Sequence, residues 1–561
     1  MRVAFLAALT WVGLSLQTVF AGTVYVDVAN PNCPGSGTPA DPYCSIQDAI
    51  GAAAFGDTVL VAPGFYDENI DFLGKAITVR SDRGPKATIL SGGHRGSVVS
   101  FFRRETGASV LEGFTIRDGT GTTIQDSLGR PILVGGGIVC LGSVPTIRNN
   151  IITANTCTSG TGSGGGLYAS GAGSEISLFI VEENVFSNNS ANGSGGGAWL
   201  SGMATARVVN NVFEDNLSDG TGTTSGGGLG ATGGHVFIFS NVFRNNLAKS
   251  VNSFSTARGG GLYFSNGPAT ISHNWLVGNR LLGPGPVGGG VYISSNHDVE
   301  LFDNTISDNR LGDGLGTQSS SGSFYSSSSP GSYAQNLIVW GNRPGAQQHD
   351  GDVNPTFSDI EGGLAGIGNI NSNPRFLDSA GGDYRLACIS PCVDAGALPP
   401  TGYIHWVFDI EGDRNAMDGD SDGSPDPDMG GDELDTLWQL LGAPIAGGPP
   451  VNFHAQSPPA EAGRLAFVFL SRSDGSISGG IPLPTTSERL GLAVDNIFGF
   501  WSATPSILRS VTLAACPGAS AAAAQIPASA AGLELYFAGF SFDPVNGIVT
   551  SVTPTKRLLI Q

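Results

Sequence analysis

Arg280, Arg310 and Arg343 recur along the chain, each directly after an asparagine. Guanidinium groups bind carboxylates and sulfates through paired N–H donors, so three in register could hold an anionic chain. Stacked at a strand spacing of ~5 Å they would repel one another unless screened or bound to anions. Asp303, Asp308 and Asp313 lie close enough in sequence to balance them instead. A second series runs Val139, Tyr168, Trp199, Gly230, Tyr263 and Tyr292, with Ser170, Ser201, Thr232, Ser265 and Ser294 two places on. Trp and Tyr rings bordered by hydroxyls suit sugars, whose faces are apolar and whose rims are polar. The competing expectation is that the rings stack on each other and stabilise neighbouring turns of the fold.

Acid–base chemistry is harder to assemble. Lys249 is the only lysine among the repeats, no carboxylate cluster shares its register, and His235 and His273 occur singly. There is no Asp-Asp pair and no Gly-His-Gly, the motifs that carry acid and base in polygalacturonase-like enzymes.

A different chemistry is written between Asp409 and Glu433, DIEGDRNAMDGDSDGSPDPDMGGDE. Asp418, Asp420 and Asp422 alternate up to Gly423, with Asp426 and Asp428 beyond. Alternation lets hard oxygen ligands converge on Ca²⁺, and the glycine permits the bend. The stretch resembles Asp-x-Asp-x-Asp-Gly calcium loops but is no proper EF-hand, because the twelfth position from Asp418 is Met429 rather than glutamate. A solvated acidic linker is the alternative.

These residues hang on a repeat. Glycine triplets begin at Gly135, Gly164, Gly195, Gly226, Gly259 and Gly288. The residue after each triplet (Ile138, Leu167, Ala198, Leu229, Leu262, Val291) and the one two further on (Cys140, Ala169, Leu200, Ala231, Phe264, Ile293) make a period-two buried face, which leaves Tyr168 and its equivalents pointing outward. Paired asparagines follow, from Asn150 and Asn155 to Asn304 and Asn309, bracketing the apolar column Ile152, Phe186, Phe213, Phe243, Leu276, Ile306. Each unit offers three short strands and no helical periodicity, so the chain predicts a coil of about three sides, an all-β parallel helix. Asparagines in register can hydrogen-bond up such a stack and tolerate the left-handed backbone of its bends.

The composition agrees. Of 561 residues 85 are glycine and only 13% are charged, which favours repeated turns over helices. The formal charge of −20, with no basic patch, argues against nucleic acid or anionic membrane as partner. Residues 1–21, with Arg2, an apolar run and Ala21, read as a signal peptide, and no later segment reads as a membrane span. Seven cysteines fit an oxidising compartment, and proximity suggests the pairs Cys33–Cys44, Cys140–Cys157 and Cys388–Cys392.

The stretch SIQDAIGAAAFGDTVLVAPGFYDENIDFLGKAITVRSD, from Ser45, resembles the N-terminal cap of secreted right-handed parallel β-helix proteins of the pectin-lyase-like superfamily. In that family a short amphipathic helix, here with Ile46, Ala49, Ile50 and Ala53 inward, covers the first coil, and Gly56-Asp57-Thr58-Val59 would open the first strand. NPRFLDSAGGDYRLACISPCVDAGA, from Asn373, is similar to the last coils of bacterial surface β-helix proteins. The expected organisation is a signal peptide (1–21), a β-helix (22–396), an acidic joint or calcium loop (397–445) and a small β-sandwich-like domain (446–561). The resemblance implies a secreted or cell-surface protein that binds extracellular polysaccharide or serves as a structural or adhesion module, with a pectate-type polysaccharide lyase as the alternative. The fused string Gln125-Asp126-Ser127-Leu128-Gly129-Arg130-Pro131 echoes two pectin methylesterase motifs that the family keeps apart, and is read as chance.

Overall fold

The computed structural model describes residues 21–433, apart from 127, 172–177, 253–254, 284, 313–321, 344–347, 388, 400–408 and 411–425; beyond 433 it describes only the strands. The expected signal peptide therefore lies outside the described residues. The described β-helix opens with a strand, Thr23–Val26, which pairs in parallel with Thr58–Val61. Thr58 thus begins the second strand and not the first. Between them α1 (Ile46–Ala52) buries Ile46, Ala49 and Ile50 over the open end of the core. Its first turn is held by Glu68, whose carboxylate accepts from Ser45 Oγ (2.8 Å) and from the amides of Ile46 (3.0 Å) and Gln47 (3.1 Å).

Six successive coils run through four strand segments and the others lack the last, one full coil being Leu167–Ser170, Leu178–Glu182, Val185–Ser187 and Ser190–Ala191. We call these the first to fourth faces. Every segment pairs in parallel with its equivalent in the next coil, giving ladders of 10, 11, 11 and 6 strands. The molecule is a parallel β-helix. It has four faces where the sequence predicts about three, because each strand of the fourth face turns few residues inward (Ala191, Ala248, Leu281). That is too few to register as alternation.

The two corners flanking the third face explain the paired asparagines. Glu183 and Asn188 adopt left-handed backbone (φ 57° and 53°), and Asn184 and Asn189 follow them into the interior. Asn184 Oδ1 accepts both the N–H (3.0 Å) and the Nδ2 (3.1 Å) of Asn150, while the Asn184 N–H and Nδ2 donate to Asn211 Oδ1 at 2.9 and 3.1 Å. The pattern continues to Asn304, and in parallel from Asn155 to Asn342. Two internal asparagine ladders thus satisfy the backbone of both corners. Between them Phe186, Phe213 and Phe243 stack at 4.7 and 4.9 Å.

The glycine triplets form a third corner. Gly164 needs its φ of +71°, whereas a Cβ on Gly165 would lie 2.4 Å from Gly196 O, and one on Gly166 2.6 Å from Gly197 O. Backbone of the next coil occupies the space, so the triplet permits close approach of coil to coil.

Cys33 and Cys44 form a disulfide. The pairing of Cys140 with Cys157 is not realised: both are buried free thiols, Cys140 on the first face and Cys157 on the fourth. Seventeen residues of separation follow the perimeter of the coil, so the two lie on different faces. Cys392 is also a free thiol, donating to Asp359 Oδ2 at 3.3 Å, and Cys388 lies outside the described residues. Beyond 433 the strands form antiparallel sheets. One contains Gln439–Leu441, Val451–Ala455 and Ser520–Ala524, and another is centred on Leu465–Ser471 and Glu534–Asp543. No helix among the described residues is long and apolar enough to cross a membrane.

Candidate functional site

Strand alternation on the first face sends Leu167 and Ala169 into the core and the intervening residue outward. The register aligns Tyr168, Trp199, Gly230, Tyr263 and Tyr292 and adds Tyr325, which sequence alignment on the triplets misses because Ser321-Gly322-Ser323 replaces the glycines there. The spacing from Tyr292 to Tyr325 was the remaining signal. The rings stack in a column, Trp199 on Tyr263 at 6.0 Å, Tyr263 on Tyr292 at 5.3 Å and Tyr292 on Tyr325 at 4.8 Å, the last two pairs within 9° of parallel. Gly230 makes the first contact possible: a Cβ there would lie 2.3 Å from Trp199 Cε3 and Cζ3, so the indole reclines over the intervening coil. Arg258 caps Tyr292 with its guanidinium 5.3 Å from the ring centroid. Self-stacking is therefore present. It turns the faces of the middle rings to one another and leaves Tyr292 only 8% exposed.

Tyr168 belongs to the register but not to the stack of rings. A hairpin, Thr122–Gln125 with Pro131–Val134, folds over this end, and Ile124, Ile132 and Val134 gather around Val139 and Tyr168. Tyr168, like Tyr292, is 8% exposed, and burial raises its phenol pKa against the lowering hydrogen bond to Ser170. The Asp126–Arg130 string sits at this hairpin's tip as a 2.7 Å ion pair. Beside the column runs the hydroxyl row, in which Ser265 Oγ donates to Thr232 Oγ1 at 3.1 Å. At its far end Asp350 stands in register with Tyr325, and Ser327 donates to Asp352 at 3.4 Å. Burial, then Tyr292, Asp350 and Asp352, push the Tyr325 phenol up.

The arginines do come into register, Arg280 opposite Arg310 and Arg310 bridged to Arg343 on the edge of the fourth face, all three exposed. The carboxylates expected to balance them are turned elsewhere. Asp303 is buried, accepting Asn336 Nδ2 at 2.8 Å with His273 Nε2 3.4 Å away, and Asp308 accepts the Tyr384 hydroxyl at 2.9 Å. Asp313 lies outside the described residues. Arg343 reaches Glu361 at 3.7 Å. Lys249, by contrast, is held by Asp219 at 2.8 Å.

Of the acidic stretch, Asp418, Asp420 and Asp422 lie outside the described residues and Asp426 is exposed. Asp428 is buried, its carboxylate accepting the Asp394 amide at 2.8 Å. Residues 427–433 form a strap across the third-face corner, where the Gly430 amide donates to Asn336 O (2.8 Å) and the Gly431 amide to Thr305 Oγ1 (3.1 Å). Burial, with Asp428, Asp303 and Asp409 nearby, pushes the Glu433 carboxyl well above its ordinary range. Among the described residues no group of three or more His, Cys, Asp or Glu is disposed to hold a metal.

No family model matches the chain, and no curated protein matches it. Among solved structures it is similar to pectate lyase Pel9A, at 14% identity over 74% of this chain and 96% of that one, with a TM-score of 0.37. It is also similar to XylC in complex with xylose, at 10% identity over 80% of this chain and 92% of that one, with a TM-score of 0.33.

Proposed function

We propose that this parallel β-helix is an extracellular protein that binds polysaccharide along its first face without cleaving it. One observation carries the reading: Trp199, Tyr263, Tyr292 and Tyr325 form an in-register aromatic column beside a row of hydroxyls, repeating at the spacing of the coils. A ligand that repeats along its own axis can meet the same pair of groups at successive coils. Hydroxyls and ring edges favour oxygen-rich partners, and Tyr and Trp lose little conformational entropy on binding. Against cleavage by elimination, the one lysine of the repeats is committed to Asp219. We carry Asp418, Asp420, Asp422, Asp426 and Asp428 into the proposal as a Ca²⁺ loop at the joint. Calorimetry of the chain with Ca²⁺, against Asp420→Asn with Asp422→Asn, tests it, and identical profiles would dismiss it.

The polysaccharide reading is tested by retardation of the mature protein in gels containing neutral or acidic polysaccharides, with absorbance of unsaturated products followed in parallel. Retardation without product release, weakened in Tyr263→Ala with Tyr325→Ala, is expected. Product release, or full retardation of the variant, would overturn it.

A further inference from the structure

Several outward cations of the solenoid are paired with a carboxylate of the neighbouring coil. Arg148 stands opposite Glu112 and bonds it at 2.8 Å, Arg244 stands opposite Glu214 and bonds it, and Lys249 stands opposite Asp219 at 2.8 Å. Arg95 and Arg103 likewise reach Asp67 (2.6 Å) and Asp71 (3.3 Å) of the preceding coil. Each of these cations is answered by a carboxylate one coil away. Arg280 and Arg310 are answered by each other. Neither makes an ion pair among the described residues, in a chain of net charge −20 with 47 carboxylates from which to draw one. Asp303 and Asp308, adjacent in sequence, are spent on Asn336 and Tyr384.

The contrast is sharpest within the fourth face itself. One outward row pairs Asp219 with Lys249, while the row two residues earlier aligns Leu217, Leu247, Arg280 and Arg310 and continues to Arg343. Like charges one strand apart cost on the order of 1 kcal/mol per neighbouring pair even in water. Arg343 at the end of the row reaches Glu361 at 3.7 Å, whereas Arg280 and Arg310 bear this cost in stability, and an anion lying across the row removes it. We propose that Arg280, Arg310 and Arg343 form a binding edge for a linear polyanionic polysaccharide bearing carboxylate or sulfate groups, laid along the helix axis. Guanidiniums present paired donors that match either group, and a polymer with a charge on each sugar repeats on the same scale as the strand spacing of about 4.8 Å. This edge lies on a different face from the aromatic column, so it can fail while the first-face reading stands, and the reverse.

The test uses the full mature chain against polygalacturonate, heparin and a neutral xylan, at low and at physiological salt. Binding to one or both polyanions that weakens with salt is expected; binding to polygalacturonate shows that carboxylates suffice, whereas binding to heparin alone shows that they do not. Arg280→Gln with Arg310→Gln and Arg343→Gln should weaken it by on the order of tenfold, as three exposed ionic contacts allow, with xylan binding unchanged. Arg310→Lys should retain most of the affinity. Arg310→Gln alone should leave Tm equal or raise it, because it relieves repulsion. Polyanion binding undiminished in the triple variant, no polyanion binding at low salt, duplex DNA bound in preference to both polysaccharides, or a lower Tm for Arg310→Gln would each overturn the proposal.

Discussion

Replacing Asn216 by alanine tests whether the asparagine ladders hold the solenoid together or only accompany it. Asn216 Nδ2 donates to Phe186 O (2.8 Å) and Asn246 Oδ1 (3.0 Å), and its Oδ1 accepts the N–H (3.1 Å) and Nδ2 (3.0 Å) of Asn189. Truncation leaves the Asn189 amide and the Phe186 carbonyl without these partners and removes one bond from each flanking asparagine. All of them are buried. An orphaned buried polar group costs about 1–3 kcal/mol and each lost bond about 1 kcal/mol, so two of each come to about 4–8 kcal/mol. Asn216→Asp should cost more, because the carboxylate cannot donate to Asn246 Oδ1 and would be buried with its charge. Urea unfolding followed by circular dichroism reads the difference directly, with the exposed Thr223→Ala as a control expected to stay within about 0.5 kcal/mol. A loss below about 1 kcal/mol for Asn216→Ala would refute the view that these side chains carry the corners.

Three further outcomes follow from the geometry. Gly165→Ala should destabilise by about 3 kcal/mol or more in the same denaturation assay, since its Cβ would strike backbone of the next coil at 2.4 Å, whereas Gly222→Ala, with nothing near, should be neutral. Gly230→Ala should expel the Trp199 indole from Tyr263, read as altered tryptophan emission and quenching; its effect on stability should be small, because the lost stack of about 0.5–1.5 kcal/mol is offset by the entropy gained on removing a strand glycine. Burial pushes Asp359 up to about 6, against the Ser372 amide and Cys392 thiol that lower it. The folded state therefore holds a proton that the unfolded carboxyl, near about 3.9, has released, so Asp359 should reduce stability as pH rises from about 4 through 6. Thermal melts of Asp359→Asn across that range should lose this part of the pH dependence, and a profile parallel to the parent would contradict it.

The repeat was legible in the sequence because a ladder demands the same kind of residue once per coil. The inward column from Ile152 to Ile306, the asparagine pairs and the triplets each answer to a local requirement of core, corner or close approach. Such requirements recur at the period of the coil, so one chain aligned on itself exposes them. The capping helix was legible for the same reason, its inward face being set by four neighbouring residues.

What stands outside the coil was not. Tyr168 is periodic like its neighbours, yet the hairpin from Thr122 to Val134 covers it. Asp303 and Asp308 sit near the arginines in sequence but are claimed by Asn336 and Tyr384, the latter 76 residues away. Cys140 and Cys157 are close along the perimeter and separated across it. Sequence by itself determined the stack, because inward packing and strand pairing depend on spacing within and between units. Only the tertiary structure decided which outward groups remain open and uncompensated, because excursions of variable length and the strap from the chain's later part reach those groups from sequence distances that no period encodes.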